Sequence, residues 1–476
     1  MKSKILKILL SLFSIIFVFY PISYSINNIR ILIFSLFTIV SIFFIIKKLN
    51  FKISEKYYFI IILAFAIFTR LGVVLILSKD VTQVLDFSAA FNSSFDLNFN
   101  SEYYRVFTHW IMYPTIVNFL YKIFGDYQII AYMTNAIILI LVAIMIYKIT
   151  ILLFKEKKYG FYSSLLYILW PSNIFYTLVF TQEHLCSLLL LIVIYLFLKI
   201  ANSNSNKIVN YIFSLLIGIL LAISSFLKNF SAVFFVGFII FEILSILKHN
   251  FSIRVLSQKI LYFIIMVLPF TLCQNIIFNS FDNLVGEKVV RNIVPCYLNV
   301  GLRDFGTYNA ENYDMYFNSL RNNNYDYDKT NFEISKNLLN HWRFEKGIKD
   351  FVKLMDYKSK IILENDNDKL SWVNRSLENS MIRVPDIVSY LNNLYYWCLG
   401  VLMMIGLINL INKENLNLFL VFVIFLGSML LLLLVEAQNR YIYSIQPLIC
   451  ILSLAGIIEM DRIIERKKHE KKNFIL

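Results

Sequence analysis

The chain has 476 residues, of which 58% are hydrophobic and 16% charged, and a formal net charge of +14 at pH 7. Soluble domains average roughly 45–50% apolar and about 25% charged residues, so an ordinary soluble globular protein is excluded. A bilayer accommodates such a composition, because one spanning helix needs roughly 20 apolar residues.

Apolar runs fall at 4–20, 30–46, 57–77, 127–148, 159–181, 185–199, 211–227, 230–247, 260–280, 393–411, 417–435 and 441–459. Each has about the length of a span. Lipid offers no hydrogen-bond partners to a backbone, so each is expected to be helical. The reading is an all-α polytopic membrane protein of about twelve transmembrane helices. The first run could be cut as a signal peptide near Ser23–Ser25, but its apolar stretch is long for one, and it is read as a signal anchor.

Orientation follows from basic residues in short loops. Lys2, Lys4 and Lys7 precede the first run, and Lys47, Lys48, Lys52 and Lys56 follow the second. Lys155, Lys157 and Lys158 follow the fourth, and Lys248, Arg254 and Lys259 follow the eighth. Arg462, Arg466, Lys467, Lys468, Lys471 and Lys472 follow the last. All fall on one side if both termini are cytoplasmic, facing anionic inner-leaflet lipid. They are read as topology-setting charge, with no nucleic-acid partner. Abundant Ile, Lys, Asn, Phe and Tyr fit an AT-rich genome and hint at a low-GC bacterium, and the expected location is the bacterial cytoplasmic membrane.

Two longer segments then lie outside the cytoplasm, 78–126 and 281–392. The second carries 15 basic and 16 acidic residues, so it is nearly neutral, and it contains no span. It is expected to fold as an α-rich mixed extracytoplasmic domain, with Asn312–Asp328 as loop. The five cysteines show neither disulfide nor metal spacing. His109, His184 and His341 are too scattered to read as a metal set.

Several charges sit where charge is costly. Arg70 lies within the third run and either snorkels or serves a polar site. Lys79, Asp80 and Asp86 follow. Asp86 opens Asp-Phe-Ser-Ala-Ala, where a helix starts and an Asp can act as an N-cap. His109-Trp110 precedes Tyr113-Pro114 and a short amphipathic stretch ending at Gly125, which suits an interfacial helix. Glu183 and His184 lie at the next mouth, Lys228-Asn229 make a hairpin, and Glu436 to Tyr441 make another. Sidedness gathers Arg70, Asp86, Glu183, Lys228 and Arg440 at the outer surface.

Acid and base groups at that depth suit a lipid-anchored substrate. A polyprenyl phosphate presents its phosphate there, with the tail in lipid and the sugar in water. Glycosyl transfer needs a carboxylate to take the acceptor proton and cations to stabilise the departing phosphate. Asp86, with Asp80 as rival, supplies the first; Arg70, Lys228 and Arg440 supply the second. No Gly-rich phosphate cradle is present, so nucleotide use is not indicated.

The order of these motifs resembles the C-type (GT-C) glycosyltransferases, in the bacterial branch similar to protein O-mannosyltransferases and the aminoarabinose transferase. Arg70, Asp86-Phe87, Tyr113-Pro114, Gly125, Asn135, Pro171 and Glu183 follow the pattern. Lys228 fits a Lys-Pro hairpin, although Asn229 replaces the Pro. Gly301-Leu302-Arg303 through Gly306-Thr307-Tyr308-Asn309 comes close to a further motif, with Arg303 departing from it. Lys358, Trp372, Glu436, Arg440 and Tyr441 complete the series. The resemblance spans roughly 57–460. It implies one inverting displacement from a polyprenyl-phosphate sugar onto an extracytoplasmic acceptor (cell-wall polymer, glycolipid or protein), with Asp86 as base. It further implies substrate contacts at Glu183, Tyr113, Lys358, Trp372, Glu436 and Tyr441, and His109, just before Tyr113, is added to these candidates from its position alone. Some members need a divalent metal beside paired acids; no adjacent pair occurs here, so no metal is assigned and metal dependence stays open.

The expected layout is therefore an N-terminal transmembrane hairpin 1–56, a catalytic core 57–280, an extracytoplasmic domain 281–392, C-terminal helices 393–460 and a basic tail 461–476. The rival readings are a flippase or other transporter for lipid-linked glycans, and a polysaccharide polymerase of another membrane fold. Transporters often show repeated halves and midplane charges, and neither is visible here.

Overall fold

The computed structural model describes Tyr20 and residues 54–202, 207–248, 253–378, 382–413 and 415–473. The described residues form helices and turns, with no strand. The expected runs 4–20 and 30–46 lie outside the described residues, apart from Tyr20.

The helices are α1 (Tyr58–Leu77), α2 (Leu85–Asp96), α3 (Glu102–Val106), α4 (Met112–Phe124), α5 (Gln128–Phe154), α6 (Lys157–Ile168) and α7 (Pro171–Phe175). There follow α8 (Glu183–Ala201), α9 (Lys207–Ser225), α10 (Ser231–Lys248) and α11 (Ile253–Val285). The next stretch holds α12 (Val294–Gly301), α13 (Ala310–Asn322), α14 (Tyr327–Asn340), α15 (Ile348–Leu363) and α16 (Asp368–Ser376). The chain closes with α17 (Asp386–Lys413), α18 (Leu416–Leu434) and α19 (Gln446–Asn473).

Among the described residues, eight helices are long and apolar enough to cross a membrane, which makes the chain a multi-pass membrane protein. The segment Asn439–Ile464, which enters α19, is central, with 94% of its apolar window buried, whereas α11 is peripheral at 11%. α17 runs along α19, and α9 along α11. Glycines permit this close approach: a Cβ at Gly456 would meet the Leu402 carbonyl oxygen at 1.8 Å, and one at Gly218 the Met266 carbonyl oxygen at 2.1 Å. Small residues at such crossings let backbones touch.

Three expectations change. The run 159–181 is not one helix: α6 stops at Ile168, and Pro171 opens the short α7 and a 3-10 turn, Tyr176–Leu178. Proline has no N–H to donate and suits a helix start. Among the described residues, the segment 281–392 is helical throughout its regular elements, not mixed. Asn312–Asp328 is mostly helix rather than loop. Asn309 caps α13 by accepting from the Glu311 N–H, Asp326 caps α14 through the Lys329 N–H, and Tyr316 and Leu320 are buried between them.

Tyr113, Val117 and Tyr121 form the buried face of the amphipathic α4, while Phe119, Ile123 and Phe124 stay exposed. The helix ends at Gly125, whose φ of 92° lies in the left-handed region that favours glycine.

Candidate functional site

The site is assembled on the turn into α2. Gln83 anchors the approach, donating to the Leu178 carbonyl at 2.8 Å and accepting from the Phe180 N–H at 3.0 Å. The Thr82 N–H donates to the Ser376 carbonyl at 2.8 Å, tying this strap to the end of α16. Leu85 then takes a φ of 51°. A bulky residue there is strained, and such strain persists only where the surroundings hold it. Asp86 follows in the first turn of α2. Val84, two residues before it, is the N-cap residue, and no side-chain cap bond is made. The Asp86 carboxylate is therefore not a helix cap. It is exposed and faces the Tyr103 hydroxyl, whose pKa is raised by burial and then by the Asp86 charge.

Phe87 carries the link inward. Its buried ring meets Trp110 edge-on at 5.8 Å and Trp372 at 5.0 Å. The Arg440 guanidinium lies 4.8 Å from the Phe87 ring centroid and 4.6 Å from that of Trp372. Cations over aromatic faces are attracted by the ring quadrupole. Arg440 is buried; Nε donates to Gln438 Oε1 at 2.7 Å, while Nη1 has no partner among the described residues.

Lys228, in the link between α9 and α10, donates to Glu183 Oε1 at 2.6 Å and lies 3.9 Å from the Tyr441 ring centroid. Burial lowers its pKa, and the Glu183 charge opposes that. Tyr176 donates to the other Glu183 oxygen at 3.3 Å. Asp368 accepts from the Arg440 backbone N–H at 3.3 Å; burial raises its pKa, and Arg440 opposes this. Lys228 is thus ion-paired with a carboxylate, whereas Arg440 meets Asp368 through its backbone N–H. His109 bonds Tyr297 at 3.2 Å, and its pKa is driven to about 3 by burial, then by the Lys228 and Arg440 charges. A neutral imidazole beside two cations can accept or donate a hydrogen bond but adds no charge.

Other expected residues fall around this group. Arg70 does not snorkel. It is buried, its Nη2 is 3.4 Å from the Tyr167 carbonyl, and its Nε and Nη1 lack partners among the described residues. It stands behind His184 and Tyr443, which bond each other at 2.9 Å. Tyr113 is also interior, donating to Asn135, which in turn donates to the Thr177 and Val179 carbonyls at 2.9 and 3.0 Å. Glu436 is buried and accepts from Tyr313 and Gln438. Lys358 donates to the Gly301 and Val435 carbonyls at 2.6 Å each, and burial brings its pKa down to about 7. Gly301 packs so tightly there that a Cβ would lie 2.3 Å from the Val435 carbonyl carbon. Asp80 ends a 3-10 turn, half-buried, with no hydrogen bond or ion pair among the described residues.

One group was not legible beforehand. Asp366 and Lys369 are fully buried and paired at 3.0 Å. Asp366 accepts from Trp170 at 2.9 Å and Ser172 at 2.6 Å, and Lys369 donates to Asn173 at 2.9 Å and Gln446 at 2.6 Å. Burial lowers the Lys369 pKa to about 8, with Asp366 opposing. This pair fixes the segment that presents Asp368 and Trp372 to Arg440. Among the described residues, no three His, Cys, Asp or Glu side chains are placed to hold a metal ion.

Residues 108–274 match the family model for dolichyl-phosphate-mannose-protein mannosyltransferases. That match bears out the resemblance to the C-type membrane glycosyltransferases. No curated protein matches the chain. The oligosaccharyltransferase AglB from Archaeoglobus fulgidus, solved with an inhibitory peptide and a dolichol-phosphate, is similar at 10% identity and a TM-score of 0.48. The similarity covers 88% of this chain and 52% of AglB, so the chain spans about half of that protein's length. ArnT from Cupriavidus metallidurans, bound to undecaprenyl phosphate, is similar at 10% identity and a TM-score of 0.35, over 86% of this chain and 79% of ArnT.

Proposed function

We propose that the chain is an inverting glycosyltransferase that moves a sugar from a polyprenyl-phosphate donor to an acceptor outside the cytoplasm. The observation that carries this reading is the adjacency of an exposed carboxylate and buried cations: Asp86 adjoins Phe87, whose ring lies against Arg440. The acceptor class stays open among wall polymer, glycolipid and protein. The segment 281–392 is taken as the extracytoplasmic domain and both termini as cytoplasmic, from the distribution of basic loops.

In this mechanism Asp86 removes the acceptor hydroxyl proton as that oxygen attacks the anomeric carbon. The bond from that carbon to the phosphate oxygen breaks, and the lipid phosphate leaves as an anion. Lys228 and Arg440 receive the developing charge, and the buried Arg440 Nη1, without a partner among the described residues, supplies a donor for it. Glu183 holds Lys228 beforehand, so an arriving phosphate competes with that carboxylate. Arg70, one layer deeper, adds positive potential through a low-dielectric interior. Trp372 and Tyr441 shape the cation pocket with their ring faces.

The test is release of free polyprenyl phosphate by the purified chain in nanodiscs, over a panel of polyprenyl-phosphate sugars and acceptors from the same envelope. Acceptor-dependent release supports the reading. Its absence with every donor, from protein that melts cooperatively, contradicts it.

A further inference from the structure

The helix α15 is half seated and half overhanging. Its buried positions include Leu354, Lys358, Ser359, Ile362 and Leu363. That face rests on the link joining two candidate spans: Lys358 donates to the carbonyl of Val435, the residue after α18, and Asn439 donates to the Ile362 carbonyl at 2.9 Å. Residues three and four apart share a helix face, so Ile348, Phe351, Val352 and Met355 continue the same stripe. Over the first two turns the stripe is uncovered, with Ile348 84% and Val352 60% exposed. Phe344, in the preceding turn, is 72% exposed.

The direction of that bare face is set by the seated half, which is turned toward the ends of membrane helices. At 1.5 Å rise per residue, Ile348 is about 15 Å along the helix from Lys358. The overhang thus extends from that seat with its apolar side uncovered. Between 343 and 353 the charges are Arg343, Lys346, Lys349 and Lys353 against Glu345 and Asp350, a basic excess, and all six are exposed. Apolar residues flanked by lysines are the pattern of an interfacial helix on anionic headgroups, the lysine stems lying along the apolar surface and their amines reaching phosphate.

We propose that the first two turns of α15, with Phe344, seat in the headgroup layer of an anionic bilayer. The proposal rests on α18 and Asn439–Ile464 crossing that bilayer, and not on the glycosyl-transfer reading. A polyanionic wall polymer would engage the lysines but leave Ile348, Val352 and Phe344 in water, so lipid is the better occupant.

The experiment uses the full chain in phosphatidylglycerol-containing nanodiscs. Cys273, the one native cysteine that is not buried, is replaced by Ser, and single nitroxide labels are placed at 348, 352, 360 and 430. Accessibility is compared between dissolved oxygen, which favours lipid, and a water-soluble nickel chelate. Labels at 348 and 352 are expected to read as interfacial, like neither the exposed Lys360 position nor the lipid-facing Leu430 position. The pair Lys349→Gln and Lys353→Gln is expected to shift 348 and 352 toward water. Labels at 348 and 352 as wet as 360 overturn the proposal, as does protection of them by added dextran sulfate instead of by lipid. No effect of the lysine pair overturns the anionic-headgroup assignment. A wet label at 430 overturns the membrane reading beneath it.

Discussion

The Arg440 guanidinium lies 4.8 Å from the ring centroid of Phe87, the residue that follows Asp86. One aromatic ring thus joins the proposed base to the proposed phosphate pocket. Proximity of this kind matters because a proton acceptor and a charge stabiliser act on opposite ends of one displacement.

Arg440→Ala should lower kcat/KM for the donor by about 10²–10³-fold, the usual cost of losing one preorganised donor to a developing anion. Arg440→Lys should recover only part of this, because a point charge lacks the guanidinium fork. Steady-state kinetics with varied donor concentration check both. Unchanged donor kinetics in Arg440→Ala would remove the phosphate role.

Glu183→Gln leaves Lys228, 18% exposed, without its counter-ion. Breaking one side of a buried pair typically costs about 3–5 kcal/mol, and the residual exposure of Lys228 places the expected loss toward or below the lower figure. A ligand that restores the missing charge should stabilise most where the charge is absent. Thermal melts should therefore show a larger upward shift on adding polyprenyl phosphate to Glu183→Gln than to the wild type. An equal shift would mean that the phosphate does not meet Lys228.

Asp366→Asn and Lys369→Met should each destabilise strongly, by about 3–5 kcal/mol, since each strands a fully buried charge. The double variant should recover part of that loss, because no lone charge remains. Denaturation midpoints of the three variants in one detergent check the coupling. Additive losses would deny that the two act as a pair.

Lys358 has a folded pKa of about 7 against an ordinary value of 10.5. Between those values the unfolded chain binds more protons than the folded one, so stability rises with pH from about 7 toward 10. The rise should be smaller in Lys358→Met, although Lys369, at about 8, contributes to it as well. Melting temperatures from pH 7 to 9 measure the difference. Identical slopes would show that Lys358 keeps an ordinary pKa.

Much of the fold was legible because membrane spans announce themselves by length and apolarity. The break at Pro171 was not, since Pro171-Ser172-Asn173 interrupts the apolar run 159–181 only briefly and the run resumes at Ile174. Lys228, Glu183 and Arg440 could be gathered in advance from sidedness, which is a property of topology. Arg70 shares that topology, but its side chain turns inward behind His184 and Tyr443, and a rotamer choice leaves no trace in hydropathy. The Asp366–Lys369 pair was hidden for a related reason. Glu364-Asn-Asp-Asn-Asp-Lys369 looks like a solvated turn, and partners distant in sequence, among them Trp170, Ser172, Asn173 and Gln446, make it interior. Lys358 was noticeable, yet its two carbonyl partners are backbone atoms, which sequence does not mark.

The most direct measurement is the anomeric configuration of the transferred sugar, read by NMR on product formed by wild type and by Asp86→Asn in nanodiscs. The account predicts inversion relative to the donor in the wild type. It also predicts a loss of about 10²–10⁴-fold in rate for Asp86→Asn with an unchanged melt, because an exposed carboxylate contributes little to folding. Retention of configuration, or a fully active Asp86→Asn protein, would contradict it.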